Sequence, residues 1–173
     1  MFGICNKNYL MMNSILSQRT WIYVSLLASI FMLASAHVFE TFGKMYPCDL
    51  CLKQREPYWV AIFIALSGII LSRAKPSWPM FKTTCILLGF TFLYGTGYAL
   101  YHSGVEWGIF HAGCQSVDFD PSQSLALDSP MVVGKCDEPP LVIMGVTMAN
   151  MNAIGSMLLM LTSFVCAFRK QKN

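Results

Sequence analysis

The amino-acid sequence predicts an all-α integral membrane protein, a four-transmembrane-helix bundle with two outer loops. Three observations support this class. The chain has 173 residues, of which 55% are hydrophobic and only 12% are charged, whereas about a quarter of the residues of a soluble domain are charged. Its mean hydropathy is +0.50. Four apolar stretches also approach the roughly 20 residues that span a bilayer. We therefore expect a single membrane domain over residues 1–173.

The four spans follow from the positions of these apolar stretches. None of them shows a sustained amphipathic pattern, which favours spans over surface helices. The second apolar run covers only residues 58–72, so its helix must begin earlier in the chain. The predicted spans cover about 21–39, 55–72, 83–101 and 143–168, and the outer loops cover about 40–54 and 102–142.

The distribution of Lys and Arg predicts the orientation. Of the twelve such residues, eight lie before the first span, between the second and third spans, or after the fourth. The positive-inside rule assigns this side to the cytoplasm. Both termini are then cytoplasmic, and both loops with cysteine pairs face outward. The modest net charge of +3, without a basic patch interleaved with aromatic residues, argues against nucleic-acid binding.

The first span has an alternative interpretation. Ala34-Ser35-Ala36 follows an apolar core, as does the cleavage site of a signal peptide. The long segment before the apolar run, and the continuation of the run beyond this site, favour a retained helix. The charge pattern is compatible with both, and Met11 and Met12 leave the start of translation open.

The seven cysteines divide according to the predicted topology. The four in the outer loops are Cys48, Cys51, Cys114 and Cys136. The three within a span or on the cytoplasmic side, which we expect to be dispensable, are Cys5, Cys85 and Cys166. Four outer cysteines allow three pairings. One pair in each loop is the simplest, Cys48 with Cys51 and Cys114 with Cys136.

Two structural roles compete with a redox role for these cysteines. A disulfide that braces the long second loop explains Cys114 and Cys136 well, because disulfides are common outside cells. A bridge between Cys48 and Cys51 closes almost no loop and removes little chain entropy, so this pair is better suited to switching. Four cysteines also suit zinc, but the sequence has one CxxC and no close histidine pair.

Arg55 and His102 are the candidate partners of the cysteine pair. Cys51 lies at the predicted N-terminal turn of the second span, where partial positive charge favours a thiolate. Arg55 follows one turn later on the same face, although a cation is unfavourable there. It either serves the site or extends to lipid headgroups. His102, at the outer end of the third span, either donates and handles protons or anchors the helix at the interface.

A thiolate beside a fixed cation at the membrane surface suits electron transfer from a dithiol to a lipid-soluble acceptor. A quinone is such an acceptor, and its carbonyl oxygens need hydrogen-bond donors as charge develops on reduction. In the fourth span, Asn150 and Asn152 are expected to form hydrogen bonds between helices.

The segment CDLCLKQR at 48–55 resembles the C-x-L-C-x-x-[E/Q]-R signature of the disulfide bond formation protein B family. YHSGVEWG at 101–108, KCDEPP at 135–140 and the following MGVTMANMNA resemble later landmarks of the same family. The combination in this order is specific. The resemblance covers about residues 20–168, and within it the segment 115–135 has no recognisable counterpart.

This resemblance implies an inner-membrane oxidoreductase of a Gram-negative bacterium, with both cysteine loops periplasmic. It implies a protein-dithiol:quinone oxidoreductase that reoxidises a periplasmic thioredoxin-fold dithiol oxidase (DsbA-like). The electrons pass to ubiquinone or menaquinone in the surrounding lipid, so that disulfides are generated. Arg55 would be essential at the quinone head group, and His102 would contribute to the same site.

The resemblance also implies a role for each outer cysteine. Cys114 would form the mixed disulfide with the partner, and Cys136 would exchange with Cys48. Cys51 would then face the quinone as a thiolate. Gln54 stands where some members carry an acid, and we expect it not to disturb this scheme.

Two other functions are compatible with the sequence. In the first, the protein is a non-enzymatic membrane adaptor whose outer loops are braced by stable disulfides, with no response to quinone. In the second, the redox class is the same but reducing equivalents flow outward. The cation beside the CxxC argues against the outward flow, although a sequence does not set a reduction potential.

Overall fold

A computed structural model of the chain confirms the predicted class, because its four long helices are each long and apolar enough to cross a membrane. The structure describes residues 17–44, 47–74, 78–111, 136, 141–143 and 145–169. The helices are α1 (Gln18–Gly43), α2 (Asp49–Ala74), α3 (Trp78–Glu106) and α4 (Met148–Phe168), and the strands are β1 (Val142–Ile143) and β2 (Val146–Thr147).

The first three helices extend beyond the apolar runs that predicted them, because polar residues continue or cap them at their ends. The N-cap of α1 is Ser17, whose hydroxyl accepts a hydrogen bond from the Thr20 N–H at 3.2 Å. Its C-cap is Lys44, in the left-handed conformation with φ 50°. α3 continues to Glu106, so His102, placed by the sequence at the start of an outer loop, lies in the last turns of a helix.

A short antiparallel hairpin of β1 and β2 stands where the fourth span was expected to have begun. Gly145 at its turn has φ +80°, which glycine adopts without a steric penalty. The hydroxyl of Thr147 then accepts a hydrogen bond from the Asn150 N–H at 3.2 Å and caps the helix. α4 therefore starts at Met148 rather than near residue 143.

The apolar core lies between the helices and is rich in small residues. Phe92 and Leu88 of α3 are fully buried in it, together with Ile22 of α1. Exposed side chains such as Phe63 and Leu158 face outward, as expected for helices surrounded by lipid. Small side chains let membrane helices approach one another closely. Those buried here include Ser25, Ser29, Ala61, Ala65, Ala153, Ser156 and Ser163.

Polar contacts join α1 to α4 at the end of the bundle opposite the start of α2. Trp21 Nε1 donates to Ser163 Oγ at 2.9 Å. Gln18 Nε2 donates to the backbone carbonyl of Cys166 at 3.1 Å. Cys85 is also buried here, with its Sγ 3.9 Å from the Gln18 carbonyl. Cys85 and Cys166 are free thiols at this end, and the hydrogen bonds around them hold two helices together.

Gly95 of α3 lies at a close approach to α2, which predicts the effect of enlarging it. A Cβ at this position would lie 3.2 Å from the Cβ and Cγ of the rigid Pro57 ring. Gly95→Leu is expected to lower the free energy of unfolding in detergent by about 1–3 kcal/mol through overpacking. Gly97→Leu is the matched control in the same helix, because a Cβ there meets nothing within 4 Å. Equal thermal stability of the two variants would contradict this packing.

Candidate active site

The CxxC pair begins α2, as predicted. Cys48 is the residue before the helix, and Cys51 lies in its first turn. Cys48 Sγ accepts a hydrogen bond from the Cys51 N–H at 3.3 Å, as a capping side chain does. The two Sγ atoms are 3.0 Å apart. Both residues are free thiols, so the pair is hydrogen-bonded and not bridged.

Cys48 is the sulfur of this pair that is better stabilised as a thiolate. A hydrogen bond from the Cys51 thiol lowers the pKa of Cys48 to about 4 in spite of burial, with further contributions from His102 and from the Cys51 N–H. A sulfur at a helix N-terminus also gains from the helix dipole. The backbone N–H cap and the nearby His102 ring therefore favour Cys48 as the sulfur that carries the negative charge of the reduced pair.

His102 belongs to the cysteine site and is not simply an interfacial anchor. Its side chain is buried, and Nε2 lies 3.8 Å from Cys48 Sγ. Its Nδ1 lies 2.6 Å from Gln54 Nε2. One turn later in α3, Glu106 places Oε1 at 3.9 Å from His102 Nε2. The other Glu106 oxygen accepts a hydrogen bond from the Thr147 hydroxyl at 2.6 Å, which connects this site to the start of α4.

Cys136 lies in the same buried apolar cluster as Cys48. Both side chains are 3% exposed, and Val105 of α3 completes the cluster, with Leu50 and Cys51 packed against it. Cys136 is disulfide-bonded. Cys114, its predicted partner, lies outside the described residues. A bridged cysteine and the sulfur that forms the better thiolate are therefore in one water-excluded cluster.

A cavity of about 300 Å³ lies between α1, α2, α4 and the end of α3. Its walls are largely apolar, with Phe31 and Phe39 of α1 facing Met148 and Met151 of α4. The polar side chains that reach it are those of Ser35, Glu40, Cys51, Gln54, Arg55, Tyr58, His102, Glu106 and Asn152. Among the described residues that line the cavity, the cysteine is Cys51.

Arg55 also lines this cavity, but it is paired with an acid. Its Nη1 donates to Glu40 Oε2 at 2.7 Å, and the Arg55 side chain is 16% exposed. The sequence analysis missed Glu40, because this residue lies in another helix and no local spacing connects it to Arg55. A guanidinium has five N–H donors, and the Nη1 bond to Glu40 uses one of them. Arg55 can therefore donate into the cavity as well as to Glu40.

A line of hydrogen bonds runs from His102 into the bundle. Gln54 Oε1 accepts from Asn152 Nδ2 at 2.5 Å. Asn152 Oδ1 accepts from the Tyr58 hydroxyl at 2.5 Å, and the Tyr58 and Ser156 hydroxyls are 2.9 Å apart. Bonding between helices is thus confirmed for Asn152. The sequence analysis missed Tyr58 and Ser156, although polar residues within spans are a signal of inward-facing positions.

The donor atoms of Cys48, Cys51 and His102 all lie within 4.8 Å of one another. Two thiolates and an imidazole form a donor set that suits Zn²⁺, and it differs from the four-cysteine zinc site considered from the sequence. The hydrogen bonds of these atoms with one another and with Gln54 account for the arrangement as a thiol–imidazole site.

Four spans, a CxxC at a helix N-terminus and a bridged cysteine packed against it define a membrane protein of thiol–disulfide chemistry. The family model "Disulfide bond formation protein DsbB" matches residues 18–166, and the chain belongs to this family. The resemblance drawn from the CxxC and later motifs is therefore confirmed. Family and spans together describe a multi-pass inner-membrane protein of disulfide formation, and they support an oxidoreductase.

The chain is similar to the uncharacterized protein RP370 of Rickettsia prowazekii (strain Madrid E). The two are 29% identical over 153 residues, which cover 84% of this chain and 85% of that protein. No solved structure matches the chain.

The low pKa of Cys48 predicts how its charge responds to loss of Cys51. With a pKa of about 4, the Cys48 thiolate persists through neutral pH and is lost only as the pH falls through that value. Cys51→Ala removes the largest cause of this low pKa, so the thiolate should be lost much closer to neutral pH. The measurement is thiolate ultraviolet absorbance against pH, with the Cys136 disulfide intact. Cys5, Cys85 and Cys166 are replaced by alanine throughout.

Cys51→Ser is the control for this titration, because its hydroxyl can still donate to Cys48. We expect a smaller displacement of the curve than for Cys51→Ala. Identical curves for the parent and both variants would show that the Cys51 side chain does not stabilise the Cys48 thiolate.

Proposed function

We propose that the protein transfers electrons from a periplasmic thioredoxin-fold dithiol oxidase (DsbA-like) to ubiquinone or menaquinone, and so generates disulfides. One observation carries the proposal: the two sulfurs of the CxxC have different surroundings. Cys48 is a buried member of the cluster that contains the bridged Cys136. Cys51 packs against this cluster and, unlike Cys48, also lines a cavity together with Arg55. This difference supports exchange with protein thiols at Cys48 and electron transfer from Cys51 to an acceptor.

The proposed exchange starts at the bridge between Cys114 and Cys136. A thiolate of the reduced partner attacks Cys114, forms a mixed disulfide there and releases Cys136 as a thiolate. Cys136 then attacks Cys48 of the oxidised CxxC and releases Cys51 as a thiolate. Each attack breaks one disulfide and forms another, so no electrons are lost. The packing of Cys136 and Cys48 in one cluster supports the second of these attacks.

The partner leaves oxidised when its second thiolate attacks the mixed disulfide and releases Cys114. The Cys114 thiolate then attacks Cys136, restores their bridge and displaces Cys48. The two electrons of the partner now reside on the reduced Cys48 and Cys51. Free thiols at Cys48 and Cys51 with a bridged Cys136 are the redox state of the structure.

The cavity fits a quinone in size and chemistry. Its volume of about 300 Å³ lies at the lower end of the range for small-molecule sites, roughly 300–1,000 Å³. Its apolar walls suit the ring and the first part of an isoprenoid tail. Arg55 offers the N–H donors that the carbonyl oxygens need as charge develops, and His102 lines the same cavity. A bound quinone would supply the acceptor of two electrons and two protons.

Residues of the chain would deliver the electrons and protons that a quinone takes up. Cys51 lines the cavity, so its sulfur is the proposed point of departure for the electrons. The thiol proton of the reduced pair, on Cys51, leaves into the cavity that Cys51 and His102 both line. Arg55 remains charged at all working pH values and can hold developing negative charge.

The proposed orientation places both cysteine-bearing loops in the periplasm and both termini in the cytoplasm. It rests on the distribution of Lys and Arg. An oxidising compartment outside the inner membrane is also where a bridge at Cys136 is stable.

Quinone-dependent oxidation of a reduced DsbA-like partner tests the proposed function. The protein is purified with lipid, and the absorbance of ubiquinone or menaquinone is followed together with partner thiols. We expect equal amounts of quinone reduction and partner oxidation in the wild type. Cys51→Ser is expected to abolish both, and Arg55→Gln to lower turnover at least about a hundredfold through loss of charge stabilisation.

Failure of quinone reduction with several partners and both quinones would overturn the proposal. Stable, fully oxidised bridges together with that failure would favour the membrane adaptor. Normal turnover of Cys51→Ser or Arg55→Gln would contradict the roles proposed for these residues.

The three remaining cysteines test which cysteines of the chain take part in the exchange. Cys85 and Cys166 are buried at the opposite end of the bundle, and Cys5 lies outside the described residues. The triple variant Cys5→Ala, Cys85→Ala, Cys166→Ala is expected to retain turnover within about twofold, because none of these thiols enters the exchange. Loss of turnover at normal expression and normal thermal stability would contradict this.

A further inference from the structure

With the side-chain amides of Asn152 and Gln54 oriented as they are in the structure, the hydrogen bonds between Ser156 and His102 run in one direction. Asn152 Oδ1 only accepts, so the Tyr58 hydroxyl donates to it, and the Ser156 hydroxyl donates to Tyr58. Asn152 Nδ2 only donates, and it binds Gln54 Oε1. Gln54 therefore presents its Nε2 to His102, and an amide nitrogen only donates. His102 Nδ1, 2.6 Å away, must accept.

The other ring nitrogen of His102 faces acceptors. Nε2 lies 3.8 Å from Cys48 Sγ and 3.9 Å from Glu106 Oε1. Because Nδ1 accepts from Gln54, the one proton of a neutral ring is on Nε2. This N–H points to the side of the ring where the Cys48 thiolate lies. The arrangement is complete only in this tautomer, since a bare Nε2 would face the thiolate with a lone pair.

We propose that Gln54 is a positioning residue that holds His102 as the neutral tautomer with its proton on Nε2, ready to donate to Cys48. This inference rests on the proposed function, which gives His102 its place beside a reacting sulfur. Gln54 acts through His102 and makes no contact with Cys48 in the proposed role. The sequence alone predicts that Gln54, in place of an acid, leaves the exchange scheme undisturbed.

The identity of the side chain at this position sets the charge of the ring. An amide nitrogen at Nδ1 opposes a second proton on His102, because two donors would then face each other. A carboxylate at position 54 would accept from a protonated Nδ1 and favour the doubly protonated ring, as an aspartate does for an imidazole in hydrolases. Gln54 thus keeps a second positive charge away from the cavity that Arg55 already lines.

Two ionisable groups lie beside His102, Cys48 before α2 and Glu106 of α3. The other ionisable groups that line the same cavity are Cys51, Arg55 and Tyr58 of α2 and Glu40 of α1. Among the described residues of α4, this site receives Asn152 and no ionisable side chain. The Cys48 thiolate and Glu106 both favour a second proton on the ring. Gln54 is the group that opposes this proton at Nδ1, and Asn152 fixes Gln54 in the opposing orientation.

Nitrogen-15 NMR of histidine-labelled protein in lipid tests the inference directly. His37→Gln and His111→Gln leave His102 as the one labelled ring. With the CxxC reduced and at mildly alkaline pH, we expect a bare Nδ1 and a protonated Nε2. Gln54→Glu supplies an acceptor in place of the donor, so both ring nitrogens should be protonated at the same pH. A bare Nε2 in the parent, or an unchanged spectrum in Gln54→Glu, would overturn the inference.

Asn152→Leu tests the hydrogen bond behind Gln54. Without the Nδ2 donor, Gln54 can turn its Oε1 toward His102 and accept a hydrogen bond from a protonated Nδ1. At mildly acidic pH we expect about fivefold more of the doubly protonated ring relative to the neutral ring, the factor that one hydrogen bond gives. Asn150→Leu is the matched control on the same helix, because Asn150 contributes its backbone N–H to the Thr147 cap. Equal spectra for Asn152→Leu and Asn150→Leu would overturn the role of Asn152.

Turnover separates this inference from the function on which it rests. The spectra are recorded on the resting protein, without partner or added quinone. We expect Gln54→Glu to lower quinone-dependent oxidation of the partner at least about tenfold and to change its pH profile. If the parent protein gives the expected spectra but shows no turnover, the proposed function is overturned. A changed spectrum in Gln54→Glu with unchanged turnover and pH profile would overturn the role of the tautomer in the reaction.

Discussion

The hydrogen bond from the Cys51 N–H to Cys48 Sγ at the start of α2 is the interaction on which the site depends. A helix N-terminus leaves backbone N–H groups without partners, and here a sulfur caps one of them. The cap fixes both sulfurs at the start of the helix, 3.0 Å from one another. One sulfur then packs beside Cys136 and the other lines the cavity. A helix that began a few residues later would separate the pair from both neighbours.

The polar residues that lie between α2, α3 and α4 near the cysteine pair form a connected set. An unpaired polar group in hydrocarbon costs several kcal/mol. Gln54, Asn152, Tyr58 and Ser156 satisfy one another across α2 and α4, and His102 adds α3 to the same set. These contacts join three helices at the level of the cysteine pair. The residues that orient the site are therefore also residues that hold the helices together.

The sequence was informative where a property is local and uninformative where it depends on how helices pack. Apolar length predicts four spans, and the CxxC with Arg55 one turn later predicts a site at a helix start. Local signals also placed the start of the fourth span too early, because the β-branched residues around Gly145 form a hairpin before the Thr147 cap. The Glu40 partner of Arg55 depends on the rotation of α1 against α2, and apolar patterns do not set that rotation when every face is apolar.

The burial of Cys48 has a consequence for the chemical durability of the site. A sulfur that is a thiolate at neutral pH is the form that oxidants attack, through sulfenic acid to products that thiols cannot restore. The Cys48 side chain is 3% exposed, in an apolar cluster with Val105 and Cys136. Peroxide dissolved in water has little access to such a sulfur. Enclosure thus protects the thiolate from the small oxidants of its surroundings.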